Sequence, residues 1–114
     1  MENIQLTVRL KIHDGRLEEF KKIANEFLSV TKEKDKDSLQ YDWFFNKDQT
    51  ECIIRENWSD SNSLLTHLGH LGDLFGKLLE VSDMYPEIYG NPSEELVNAT
   101  AALNPKIYSF YQGL

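Results

Sequence analysis

Residues 4 to 13 alternate between apolar and polar side chains: Ile4, Leu6, Val8, Leu10 and Ile12 on one side, Gln5, Thr7, Arg9, Lys11 and His13 on the other. A period of two separates the two sets onto opposite faces, so the segment reads as a strand with one buried face. Asp14-Gly15 breaks the pattern. From Leu17 the apolar spacing becomes helical, with Leu17, Phe20, Ile23, Ala24, Phe27 and Leu28 on one stripe. Glu18 and Glu19 suit the positive end of that helix. The mixed-charge run Lys32 to Asp37 reads as the solvated end of the helix and its loop.

Two further strands are predicted at 39 to 46 and 51 to 58, joined by the short polar loop Lys47-Asp48-Gln49-Thr50 as a hairpin. Leu39, Tyr41, Trp43 and Phe45 share a face of the first, but Phe44 points the other way, and Ile53 and Ile54 oppose each other on the second. One layer of helices covers one face of a sheet, so the second apolar face calls for a partner, most simply another copy of the chain. Ser59-Asp60-Ser61-Asn62 is a capping run before Leu64, Leu65, Leu68 and Leu71 at helical spacing. Gly69 and Gly72 interrupt that helix and Asp73 is placed to cap a second piece. A strand at 82 to 89 contains Pro86, which predicts an edge or bulge. Asn91-Pro92-Ser93-Glu94-Glu95 predicts a helix with Asn91 as cap, ending by Asn104-Pro105, before a strand-like tail from Ile107 to Tyr111. The chain is read as one α+β domain over 1–114, with a strand-helix-strand-strand-helix-strand core in 1–90 and an extension in 91–114.

The 114 residues carry 19 acidic and 12 basic side chains, a net charge of -7. That sign repels phosphate backbones and anionic lipid, so neither nucleic acid nor a membrane surface is an expected partner. The apolar runs are short and Glu2 follows the initiating methionine, which argues against a membrane span or signal peptide. A single cysteine, Cys52, forms no internal disulfide and fits a reducing cytoplasm.

No glycine-rich nucleotide loop and no cysteine cluster can be written on this chain. No cofactor is therefore expected, and the reducing power for any oxidation would come from the substrate. His67 and His70, three apart on the predicted helix, can turn toward one neighbour. A metal site would need Asp73 or Glu56 as well, and no metal is expected. His67 borders the apolar stripe between Leu64 and Leu71, where partial burial would keep its imidazole neutral and able to accept a proton. The alternative is a histidine at the core edge, satisfied by a backbone carbonyl. Trp58 closes its strand and can line a pocket or simply fill core. Tyr41, Trp43 and Phe45 form an aromatic row suited to a flat ligand or to a dimer core. Whichever of Arg55 and Glu56 points inward needs a partner, and Cys52 reads as a small buried residue.

The strand Val8-Arg9-Leu10-Lys11-Ile12-His13-Asp14-Gly15, the stretch Leu39-Gln40-Tyr41-Asp42-Trp43-Phe44-Phe45 and the run Arg55-Glu56-Asn57-Trp58-Ser59-Asp60-Ser61 through His67-Leu68 resemble the antibiotic biosynthesis monooxygenase domain family over residues 4 to 90. Tyr89-Gly90-Asn91-Pro92-Ser93, with the helix after it and the Phe110-Tyr111 tail, resembles an extension found in one branch of that family. The resemblance implies a ferredoxin-like βαββαβ fold with an antiparallel sheet, paired in a homodimer as a dimeric α+β barrel. It implies oxidation of a phenolic or quinol-type aromatic compound by molecular oxygen without metal or flavin. Such a substrate, once deprotonated, can pass an electron to oxygen itself, so the protein supplies a dry pocket, a base and hydrogen bonds to the anion. On this chain the roles fall to His67 and Trp58 as catalytic residues, and to Tyr41, Trp43, Phe45, Leu64 and Leu68 around the substrate. Relatives that degrade haem use an asparagine, a tryptophan and a histidine where this chain has Val8, His67 and Lys77, which speaks against that activity. The competing expectation is a non-catalytic binding or stress-response module with the same cavity.

Overall fold

The computed structural model describes residues 3–114. In chain order it contains β1 (Ile4–Ile12), α1 (Leu17–Lys34), β2 (Gln40–Phe45), β3 (Glu51–Trp58), α2 (Ser61–Leu71), α3 (Asp73–Val81), β4 (Ser82–Tyr89), α4 (Glu94–Thr100), a 3₁₀ turn (Ala101–Leu103) and β5 (Lys106–Tyr108). The sheet order is β2-β3-β1-β4-β5. The first four strands pair antiparallel in the ferredoxin-like arrangement, and β5 joins β4 in parallel, so the sheet is mixed rather than purely antiparallel. In one chain it remains an open sheet. No described helix is long and apolar enough to cross a membrane.

The alternation read in β1 is what anchors this arrangement. Ile4, Leu6, Val8 and Leu10 are buried, and they face Phe20, Ile23, Ala24 and Phe27 of α1 and Leu64, Leu71, Leu78 and Val81 of α2 and α3 within one core. Each fully buried side chain of this kind contributes about 1.5–3 kcal/mol. The registers then carry each inner residue of β1 across the sheet. Leu6 stands opposite Glu56 and Ile88, Val8 opposite Ile54 and Pro86, and Leu10 opposite Cys52 and Met84. Tyr41, Trp43 and Phe45 of β2 extend the same three rows beyond Glu56, Ile54 and Cys52.

The outer face is more mixed than the sequence predicts. One row across it reads Tyr85, Arg9, Ile53, Phe44, with the Arg9 guanidinium 4.4 Å from the centre of the Tyr85 ring. Phe44 is 50% exposed and Tyr85 45%.

The breaks follow the expected chemistry with two shifts of position. Asp60 caps α2, its carboxylate accepting from the Ser63 backbone N–H at 2.8 Å. The helix then stops at Gly72, whose φ of 49° and ψ of -127° are open to glycine but rarely to other residues. Gly72, and not Asp73, therefore occupies the cap of α3, and Asp73 is its first helical residue. Ser93 replaces Asn91 as the cap of α4, accepting from the Leu96 N–H at 3.1 Å, because the helix begins only at Glu94. Pro86 is at an edge as predicted: β5 pairs residues 87 to 89 and leaves that side of Pro86 open.

Two glycines give opposite expectations. Gly90, at φ +121°, would place a Cβ 2.8 Å from the Asn3 carbonyl oxygen, whereas Gly69 inside α2 has open space around it. Gly90→Ala should lower stability by about 1–3 kcal/mol, and Gly69→Ala should raise it by about 0.5–1 kcal/mol. Chemical denaturation of the two variants beside the parent checks both signs.

Candidate active site

The site is built on the row Leu6, Glu56, Tyr41. The strand register points Glu56 inward and Arg55 outward, and the Glu56 side chain is buried among apolar neighbours. Its hydrogen-bond partner is the indole of Trp58, two residues along the same face, whose Nε1–H donates to Oε1 at 2.8 Å. Burial pushes the Glu56 carboxyl up to about 7, with the Trp58 N–H opposing this in part. Near neutral pH the carboxyl is therefore substantially protonated and can donate a proton.

His67 comes from the opposite layer. It lies on the inward face of α2 with Leu64 and Leu71 and is 1% exposed, deeper than the core-edge position predicted for it. Its ring packs at 4.5 Å from the Trp58 ring, at an interplanar angle of 33°, and meets Tyr41 edge-on at 5.0 Å. Its Nδ1 lies 2.9 Å from Oδ2 of Asp35. The other oxygen of that carboxylate, Oδ1, lies 2.7 Å from Nδ1 of His70. With the carboxylate as acceptor, His67 carries its proton on Nδ1 and leaves Nε2 as the basic nitrogen available to the cavity that the ring lines. Burial holds the imidazole below the ordinary histidine value. The Asp35 hydrogen bond and charge oppose this, and the nearby His70 adds to it.

Asp35 is the residue that the sequence pattern does not reveal. It sits within the charge run assigned to solvent, but it is 4% exposed and forms the C-cap of α1. A carboxylate at the negative end of a helix is unfavourable on its own, and the two imidazole N–H groups compensate it. Five neighbouring residues of mixed charge give no local signal of which one turns inward. The only clue is the His67/His70 spacing, which allows a shared neighbour without naming it.

A cavity opens between Glu56, Tyr41, His67, Leu64 and Leu68, with apolar walls from both layers and from Thr100, Leu103 and Pro105 of the C-terminal extension. Its volume is about 40 Å³. This is a narrow slot, well below the roughly 150 Å³ that holds a benzene ring, so even a single-ring guest enters only if a wall moves. Tyr41 completes the polar set. Burial first and the Glu56 charge second raise its phenol above the ordinary range, so it stays a neutral donor.

Of the residues predicted for the site, His67, Tyr41, Leu64 and Leu68 line this cavity. Trp58 stands behind it, holding Glu56 and packing on His67. Trp43 and Phe45 lie on α1, with Trp43 against Phe20 and Phe27 and Phe45 against Phe20. The Trp43 Nε1–H is buried there without a partner among the described residues. Cys52 is buried in the core, and its thiol is pushed up to about 12 by that burial. His67 and His70 share Asp35, while among the described residues no three side chains of histidine, cysteine, aspartate or glutamate are grouped to hold a metal ion.

No family model and no curated protein sequence matches this chain. Solved structures do match. MupZ from Pseudomonas fluorescens superposes with a TM-score of 0.86 at 24% identity, over 100% of this chain, extension included, and 94% of that one. SnoaB, a cofactor-independent oxygenase from Streptomyces nogalater, gives a TM-score of 0.67 at 13% identity, over 82% of this chain and 96% of its own. A protein of Caulobacter crescentus CB15, provisionally named an antibiotic biosynthesis monooxygenase, gives 0.67 at 18% identity over 76% and 85%. At these identities the likeness is one of fold: the chain has the ferredoxin-like α+β fold of the antibiotic biosynthesis monooxygenases.

The buried carboxyl has a thermodynamic signature. Between its ordinary value of 4.5 and about 7, Glu56 keeps a proton in the folded state that the unfolded chain has released. Stability should therefore fall as pH rises through that window, by an amount on the order of 3 kcal/mol. His67 acts with the opposite sign, because its lowered value lets the unfolded chain bind the proton first as pH falls below 6.5. Glu56→Gln removes the first effect alone. Urea denaturation at about pH 4.5 and about pH 8 should show the variant gaining on the parent at the higher pH. An equal difference at both pH values would mean that Glu56 holds no such proton.

Proposed function

We propose that this protein is a cofactor-independent monooxygenase acting on a small phenolic or quinol-type compound bound in the slot between sheet and helices. Nε2 of His67 takes the phenolic proton and Asp35 stabilises the resulting imidazolium. Tyr41 and the protonated Glu56 donate hydrogen bonds to the substrate oxyanion, which reacts with molecular oxygen. One oxygen atom replaces two substrate hydrogens as a carbonyl and the other leaves with them as water, and the four electrons that reduce molecular oxygen all come from the substrate. Trp58 acts by holding Glu56 and His67. The observation that carries this reading is the convergence of a neutral, Asp35-supported imidazole and a protonated carboxyl on one apolar cavity. The fold shared with a cofactor-independent oxygenase supports the choice of oxidant.

Glu56 favours a second reading. An acid and a base facing one slot are a complete set for a redox-neutral reaction that removes a proton at one atom and delivers one at another, and the slot's small volume favours a guest smaller than an aromatic ring. Oxygen uptake and product mass separate the two. Oxidation consumes oxygen and replaces two hydrogens by one oxygen, whereas the redox-neutral route consumes none. Binding that quenches tryptophan fluorescence without turnover of any panel compound would leave a binding module. In the oxidative reading, His67→Ala and His67→Gln should each cut turnover by about 10²–10⁴ while retaining the fold. Undiminished activity would remove His67 from the mechanism.

We also propose that two copies pair through the outer sheet face. The half-exposed Phe44 and Tyr85 in the row with Ile53 support this, since aromatic side chains are enriched at such interfaces. Sedimentation at micromolar concentration should show a dimer that Phe44→Glu dissociates. A monomeric parent chain would overturn the pairing.

A further inference from the structure

We infer that His70 is a positioning residue for His67, acting through Asp35. The inference rests on the reading that His67 is the base. The carboxylate is 4% exposed and its two oxygens are divided between the two histidines, Oδ2 to His67 and Oδ1 to His70, at 2.9 and 2.7 Å. Both contacts are of charge-assisted length, the His70 contact being the shorter. The His67 ring is enclosed, whereas the His70 side chain is about one-third exposed.

This division of labour follows from geometry. A carboxylate with a single N–H partner can rotate about its Cβ–Cγ bond, and a second donor on the other oxygen fixes that rotation. The Asp35 backbone is fixed as well, since its N–H donates to the Thr31 carbonyl at 2.9 Å and its carbonyl accepts from the Ser38 N–H at 3.1 Å. Backbone and carboxylate together leave Oδ2 one orientation, toward His67 Nδ1. That bond holds the tautomer with Nε2 unprotonated on the cavity side, which is the tautomer a base requires. Two imidazoles three apart on one helix face reach one carboxylate because residues at i and i+3 are surface neighbours. The titratable groups facing the His67 ring are then Asp35 from the end of α1, His70 from its own helix, Tyr41 from β2 and Glu56 from β3. The His70 side chain is about one-third exposed.

The test needs no substrate, so it is independent of which reaction the site performs. Nitrogen-15 spectra of the imidazole rings report the tautomer of His67 directly. In the parent chain they should show protonation at Nδ1. In His70→Ala the two ring-nitrogen shifts of His67 should move toward each other, and its Nδ1–H should exchange with solvent faster by about tenfold or more, the scale of one charge-assisted hydrogen bond. His70→Asn, whose carboxamide keeps a donor, should restore the parental shifts. Parental His67 shifts in both variants would overturn the inference. If His70→Ala does not fold, His70→Phe, which keeps the ring's bulk without a donor, gives the same reading: loss of the single-tautomer signature at His67 supports the inference, and its persistence overturns it. Absence of oxygen uptake with every panel compound would bear on the proposed reaction and leave these spectra unaffected.

Discussion

The register between β1 and β3 is the constraint on which the rest of the structure depends. Side chains alternate between faces with a period of two, so a slip of one residue would turn Glu56 to solvent and bring Arg55 into the core. The slip is prevented by β1, whose four buried apolar residues all face the helices and whose two neighbours both pair with it along nearly its whole length. The acid of the site is thus held in place by the aliphatic residues around it.

Burying polar groups costs free energy unless each finds a partner. Here one set of partners lies within a strand and the other joins two helices. Glu56 is met by Trp58 on its own strand, while Asp35 at the end of α1 is met by two histidines of α2. The Asp35 bonds join α1 to α2, and the His67 ring, packed on Trp58 and Tyr41, carries that layer onto the sheet at the slot. Deleting any one partner would strand a buried charge or donor, a larger penalty than the bond itself contributes.

The fold alone does not choose among reactions, because one scaffold hosts many. What this chain places on the scaffold is an imidazole whose protonation burial disfavours, a carboxyl raised toward neutrality and a phenol kept protonated, all lining a narrow apolar slot. The C-terminal extension contributes to the wall through Thr100, Leu103 and Pro105. It therefore belongs to the site rather than being an appendage to the core domain.

Much of the architecture is legible in the sequence because periodicity is a local property. The alternation of Ile4 to Ile12, the stripe from Leu17, the break at Gly72 and the edge position of Pro86 each follow from a few neighbouring residues. Helix starts are less well placed, since Asn91 and Ser93 are both good caps and the choice depends on where the incoming chain lies. His67 can be singled out by its position on an apolar stripe, and the aromatic row of β2 by its spacing. The sequence by itself determined which faces are apolar, in what order the elements come, and that His67 and His70 lie close enough on one helix to reach a common neighbour. Only the tertiary structure decided that His67 and His70 share a neighbour and that it is Asp35, that Trp58 stands behind the cavity, and that Trp43 and Phe45 pack against α1. Those outcomes depend on contacts between residues up to 35 positions apart, and no local pattern encodes which of several similar side chains the packing turns inward.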